Sequence, residues 1–174
     1  MPSDITAERV ARRIDPQRVE TIEVLGPTIQ FLTSPEASEP CIMRGTIPAG
    51  VSVPLHSHAD PETFLMMSGT VEGLIHREED FEWVRIKPGD IFHVPGHAKH
   101  AWRNHSHDPA TMIIVSTSRM GQFFQELGKP ATPGMPAAPP APEEIQRFLR
   151  TAERYGHWTA TPEENAKVGL EVPA

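Results

Sequence analysis

Gly50-Val51-Ser52-Val53-Pro54-Leu55-His56-Ser57-His58-Ala59-Asp60-Pro61-Glu62, closing at Gly69, reads as a strand, a turn and a second strand. The run 51–58 stops at the turn pair Asp60-Pro61, and the run 62–67 starts directly after it. Short β-branched runs of the same kind recur on both sides between turn signals. They cover residues 19–25, 28–33 and 42–47 before this stretch, and 71–76, 81–86, 91–95, 101–103 and 112–118 after it. Runs this short and this regularly spaced, with no long helical pattern between them, indicate an all-β sandwich or barrel and not a parallel α/β sheet. Closing antiparallel strands into a barrel removes exposed edges and leaves a cavity that a ligand can enter.

The same stretch carries chemistry. Successive side chains on a strand alternate faces, so His56 and His58 point the same way. Glu62, just past the turn, is close enough to swing onto the same centre. A second histidine cluster, Gly89-Asp90-Ile91-Phe92-His93-Val94-Pro95-Gly96-His97-Ala98-Lys99-His100, closes at Asn104 and offers His100 as a third imidazole from a distant strand. Three neutral nitrogens and one carboxylate suit a single divalent transition metal: iron, manganese, nickel, cobalt, copper or zinc.

Written as patterns, the two stretches are G-x5-H-x-H-x3-E-x6-G and G-x5-P-x4-H-x3-N. They resemble the two motifs of the cupin superfamily, and by that resemblance His56, His58, Glu62 and His100 are the metal ligands. One position departs from the family pattern. Where the second motif usually has glycine two residues after the proline, this chain has His97, with Gly96 one place earlier. The resemblance implies a small double-stranded β-helix of jelly-roll type with a short C-terminal helical extension. Single-domain cupins of this plan include quercetinase-like dioxygenases, so the resemblance also implies oxidative chemistry on a polyhydroxylated aromatic (flavonol- or catechol-like) or otherwise enolisable substrate. Glu62 is then a catalytic group as well as a ligand, placed to take a proton from a hydroxyl as it ionises. Two other classes stay open: a non-oxidative isomerase, lyase or decarboxylase, and a metal-dependent binding protein without turnover. A sugar-phosphate substrate would call for clustered cations, whereas Lys87, Lys99 and Arg103 are scattered.

Period-two counting from the ligands brings Phe64, Met66 and Trp102 to the same face, which would give an apolar substrate pocket with one polar centre. Core packing accounts for the same three residues. His97, in the loop before His100, is a candidate substrate contact or a solvated loop residue. His93 reads as a hydrogen-bonded wall residue, and His76, His105 and His107 as solvated.

At 174 residues the chain is long enough for one domain with a substantial core. Nineteen prolines and twelve glycines favour many turns. A net charge of −7 with no basic run argues against nucleic acid and anionic membrane surfaces as partners. No secretory leader and no membrane-length apolar run are evident, so the expected partner is a small-molecule substrate and the expected location is the cytoplasm. A homodimer formed through the outer sheets is the expected assembly. Cys41, the single cysteine, cannot form an internal disulfide and reads as a buried thiol.

Residues 1–18 are expected to be an N-terminal arm or short helix, 19–128 the barrel, and 129–142, with six prolines, an extended linker. Residues 122–127 form an expected helix ending at Gly128. A second begins at Pro142-Glu143-Glu144, carries Ile145, Phe148, Leu149 and Ala152 on one face, and stops before Gly156. Residues 143–174 are expected to pack on the barrel or on a partner subunit, with the segment from His157 onward loosely held.

Overall fold

The structure is a computed structural model that describes residues 11–36, 40–77, 80–132 and 139–171. Most of the expected N-terminal arm, residues 78–79 of the acidic connection, residues 133–138 of the proline-rich segment and the last three residues fall outside the described residues. Among the described residues, twelve strands build two antiparallel sheets. In chain order they are β1 (Ile22–Glu23), β2 (Thr28–Phe31), β3 (Cys41–Ile47), β4 (Ser52–Ser57), β5 (Glu62–Ser68) and β6 (Val71–Arg77). Then follow β7 (Asp80–Ile86), β8 (Ile91–Val94), β9 (His100–Arg103), β10 (Ala110–Ser116), β11 (Lys129–Pro130) and β12 (Trp158–Thr159). The larger sheet runs β11-β1-β2-β3-β10-β5-β8 and the smaller β12-β4-β9-β6-β7. From β3 to β10 the chain crosses between the sheets at every step except the β6–β7 hairpin, so the two layers are wound together as a double-stranded β-helix.

Burial follows the pleat. Along β3 and the first five residues of β5, buried and half-buried positions alternate strictly, and the inward set from both sheets meets in one core. At its centre Phe64, Phe92 and Trp102 pack as an aromatic cluster, with Trp102 4.7 Å from Phe64 and 4.8 Å from Phe92 between ring centroids. Met43, Met112 and Ile114 belong to the same core. Cys41 is fully buried at the start of β3.

Among the described residues, three helices follow the last long strand. Helix α1 (Ser118–Leu127) begins four residues earlier than the apolar pattern suggests, because Thr117 caps it: its hydroxyl accepts the Met120 N–H at 3.1 Å. Helix α2 (Pro142–Arg154) sets Phe148 against Phe123 of α1, 5.9 Å between rings, so its apolar stripe meets α1 and leaves Leu149 exposed. Helix α3 (Pro162–Lys167) is a single capped turn and a half. The segment expected to be a linker starts as a strand: Glu23 and Ile22 pair with Lys129 and Pro130.

The tail expected to be loosely held is in fact packed. Trp158, Ala160, Val168 and Leu170 cover Leu55, Leu74 and Ala101 on the outer face of the smaller sheet, forming a second apolar cluster. That cover explains why β9 is buried on both faces, with Ala101 outward and Trp102 inward. No helix of the described residues is long and apolar enough to cross a membrane.

Candidate metal centre

The ladder between β4 and β9 sets His56 directly opposite His100, with ring centroids 4.2 Å apart. His58, one residue past β4, lies 5.5 Å from His56 and 5.1 Å from His100. One ring nitrogen from each of the three lies within 4.8 Å of the others. Glu62, the first residue of β5, points into the same space from the opposite sheet. Its Oε2 is 3.3 Å from His58 Nε2 and 3.5 Å from His100 Nε2. His58, Glu62 and His100 are buried and His56 is half-buried.

Each imidazole is oriented by its own backbone. His56 Nδ1 contacts the Pro54 carbonyl at 2.7 Å, His58 Nδ1 the Asp60 carbonyl at 2.7 Å, and His100 Nδ1 the Ala98 carbonyl at 3.0 Å. A carbonyl oxygen only accepts, so each Nδ1 donates and each Nε2 is left with a lone pair. His100 Nε2 is one of two buried side-chain nitrogens among the described residues with no hydrogen-bond partner. Three lone pairs and a carboxylate held together out of water form an arrangement that is costly by itself and favourable around a cation. The residues fit a divalent metal, and His56, His58 and His100 can hold one.

The electrostatics agree. Burial opposes ionisation of Glu62, but the His100 and His58 imidazoles beside it outweigh that and hold the carboxyl far below the usual range. Burial also disfavours charge on His58, yet Glu62 beside it raises its pKa. Burial, with His100 and His58 alongside, pushes His56 well below the ordinary imidazole value, so it stays neutral. A proton on His58 and a metal ion therefore compete for one lone pair. Because the proton wins as pH falls, metal content should drop steeply below about pH 6.5, the ordinary imidazole value. Elemental analysis of protein equilibrated across pH 5 to 8 checks this, and a flat profile would contradict it.

The loop before His100 accommodates the departure from the family pattern. His97 takes φ +66°, the left-handed region that a glycine would occupy without cost. Its backbone N–H donates to the His58 carbonyl at 2.6 Å, tying the second motif to the first. Gly96 lies so close to the Ala59 carbonyl that a Cβ there would collide with it. Gly96→Ala is expected to displace the loop carrying His58 and lower stability by about 1–3 kcal/mol. That corresponds to a fall of several degrees in melting temperature, whereas His97→Gly should leave metal content unchanged.

The other expected site residues divide. Phe64, Met66 and Trp102 are buried in the interior on the face of the ligands. The His97 side chain is exposed, and the structure does not pack its ring on the three histidines. His93 is exposed on the outer face with its Nδ1 2.9 Å from Thr63 Oγ1, while His76, His105 and His107 are exposed. Lys99 stacks on Trp158, and Arg103 binds Glu72 at 2.7 Å over the Trp83 ring, so neither faces the centre. These aromatic rings line a groove of about 480 Å³ on the outer face of the smaller sheet.

Two features escape the sequence. Asp60, buried behind His58, accepts from Thr117 Oγ1 at 2.6 Å and Arg119 Nη1 at 2.7 Å, and Arg119 also donates to the Tyr155 carbonyl. The turn of the first motif is thereby bonded to the starts of α1 and of the C-terminal segment. His157 is the other feature. Its ring is 5.0 Å from His58 and 4.3 Å from Phe123, and its Nε2 is the second buried nitrogen without a partner. Burial, with His58 alongside, pushes its pKa down to about 4.

A barrel of two wound antiparallel sheets with three histidines and a glutamate inside defines the class. Residues 43–116 match the family model described as Cupin domain, and the fold is the cupin double-stranded β-helix. Among solved structures, a predicted oxalate decarboxylase from Thermotoga maritima is 21% identical (61% of this chain covered and 98% of that one, TM-score 0.51). A sugar phosphate isomerase of the cupin superfamily from Silicibacter pomeroyi is 15% identical (61% and 75%, TM-score 0.52). The polyketide cyclase RemF from Streptomyces resistomycificus is 13% identical (78% and 97%, TM-score 0.53). At these identities the likeness is one of fold. No curated protein matches the chain.

Proposed function

We propose that this cupin barrel is a mononuclear metal-dependent dioxygenase acting on a small polyhydroxylated aromatic or an enolisable substrate. The observation that carries the reading is the convergence of His56, His58 and His100, each held at Nδ1 by a carbonyl, around the buried carboxylate of Glu62. A divalent transition metal bound there supplies a Lewis acid for an anionic oxygen donor and, when redox-active, electrons for dioxygen chemistry. The chain's own residues do the rest. The three imidazoles, bonded to backbone, keep their orientation without reorganising. Glu62 stays ionised across the working pH range and can accept the proton of a phenol or enol hydroxyl as that oxygen ionises. Phe64, Met66 and Trp102 give the interior an apolar lining that excludes water from the reacting oxygens. A phosphorylated substrate is disfavoured because Lys99 and Arg103 are engaged on the outer face.

The test is oxygen uptake. Protein loaded separately with iron, manganese, nickel, cobalt and copper should consume dioxygen when a flavonol or catechol is added, and the Glu62→Gln variant should be slower by about 100-fold or more. Silence with every ion and several substrates of both kinds would sink the oxidative reading. Substrate turnover without oxygen uptake would move the centre to non-oxidative chemistry.

A further inference from the structure

We propose that His157 contacts the oxygen-donor small molecule bound at the three-histidine centre, so that the C-terminal segment completes the binding site. The inference rests on the metal reading above and adds a residue from outside both motifs.

Backbone geometry delivers His157 to the site. Helix α2 stops at Gly156, which takes φ +71°; Gly156 N–H bonds the Glu153 carbonyl and His157 N–H the Ala152 carbonyl, both at 2.9 Å. This paired closure is the left-handed helix stop that glycine permits, and it turns the chain back onto the sheet at residue 157. Strand β12 then pairs with β4, Trp158 opposite Ser57 and Thr159 opposite His56. Carrying that register back one residue sets His157 opposite His58. Facing residues of neighbouring strands share a face. Trp158 lies outward in the second apolar cluster, so His157 points inward with the metal histidines. Arg119, bridging Asp60 and the Tyr155 carbonyl, holds the two segments in that relation.

The chemistry follows from what is left unpaired. Among the described residues, the two buried side-chain nitrogens without a partner are His100 Nε2 and His157 Nε2. A buried polar atom without a partner has given up its bonds to water with nothing in return. A metal answers for His100. His157 is not among the ring nitrogens that lie within 4.8 Å of one another, so it is a neighbour of the centre and not a fourth histidine ligand. An oxygen-bearing ligand on the metal, with a phenolate, enolate or carboxylate oxygen directed at the C-terminal segment, gives His157 Nε2 its missing partner.

Zinc, which does not turn over with catechols, separates binding from catalysis. The full chain loaded with zinc should bind 4-nitrocatechol, read by the visible band of the catecholate. His157→Phe should retain full zinc by elemental analysis and bind the catecholate about tenfold more weakly, the worth of one hydrogen bond. His157→Gln, which keeps a donor, should recover to within about threefold. Zinc loss in both variants comparable to His56→Ala would make His157 a ligand and overturn the inference. So would full zinc with unchanged catecholate affinity, or a zinc-loaded unaltered chain that does not bind the catecholate. Failure of the unaltered chain to take up zinc would overturn the metal reading first.

Discussion

His56→Ala and His100→Ala are each expected to empty the centre, with metal content after loading falling to background and affinity dropping by at least about 100-fold. Removing a group that merely stands behind a ligand costs 10–100-fold in comparable sites, so removal of the ligand sets a higher floor. The two variants differ in what else they disturb. His56 is half-buried, and water can reach the Pro54 carbonyl that its Nδ1 served, so the fold should melt close to the parent. His100 is 2% exposed, and its truncation opens a cavity beneath the site, so this variant should also lose roughly 2 kcal/mol of stability. His105→Ala is the control, since that ring is exposed and faces Glu72 at 3.8 Å. Equal metal loss in all three variants, or metal retained in His56→Ala, would defeat the assignment.

That the cluster of His56, His58, Glu62 and His100 could be read from sequence has a physical basis. His-x-His on a strand places both rings on one face whatever the neighbours do, and the short connection 58–61 carries Glu62 across to the facing sheet, within reach of the same space. His100 depends on a long-range ladder, and only the motif resemblance connects it to His56; the pairing of those two residues supplies the reason. The long strands were legible for the same cause as the ligands: period-two alternation survives in β3 and β5 because both flank one core. The start of α1 is not legible because Ser118-Arg119-Met120-Gly121 has no apolar periodicity, and it is the Thr117 cap that begins the helix.

The tail was the least legible part. Two-residue strands such as β11 and β12 have no period to detect, and they exist only because a partner strand is already in place. His157 has no spacing relation to the motif histidines, since its position depends on the register of β12 against β4 and on the helix stop at Gly156. One local signal was present for α3. Thr161-Pro162-Glu163-Glu164 is a capping box, with the Thr161 hydroxyl accepting from Glu164 N–H and the Glu164 carboxylate from Thr161 N–H. At the weak point of the motif match, the chain keeps the left-handed backbone and changes only the residue. Histidine is among the side chains that tolerate that region, which is why the substitution at 97 leaves the loop intact.

The second large effect is expected at Asn165, a residue with no role in the motifs. It is 1% exposed, and its side chain joins the tail to β4, the strand that carries His56. Its Oδ1 accepts the Leu55 N–H at 2.9 Å, and its Nδ2 donates to the Ala160 and Thr161 carbonyls at 3.2 and 3.0 Å. Leu55 lies where the β4–β9 ladder slips between Val53 and His56, so its N–H has no ladder partner and depends on Asn165. Asn165→Ala therefore strands the buried Leu55 N–H and takes a partner from the half-buried Ala160 carbonyl, while the Thr161 carbonyl keeps the backbone N–H of residue 165. The first two would each cost about 1–3 kcal/mol if left wholly unpaired, and partial relaxation toward water puts the expected total at roughly 2–4 kcal/mol. For a chain of this size that is a fall of about 5–15 °C in melting temperature. Because the bonds lost are those of the tail, opening should begin there. Limited proteolysis should cut first within residues 157–171, exposing Leu55 and Leu74, while the barrel persists and still binds metal. Asn165→Asp, which keeps the acceptor for Leu55 but loses both donated bonds, should fall between the two. A variant that melts within a degree of the parent and resists protease equally would show that the apolar cover of Trp158 and Leu170 holds the tail without its buried amide.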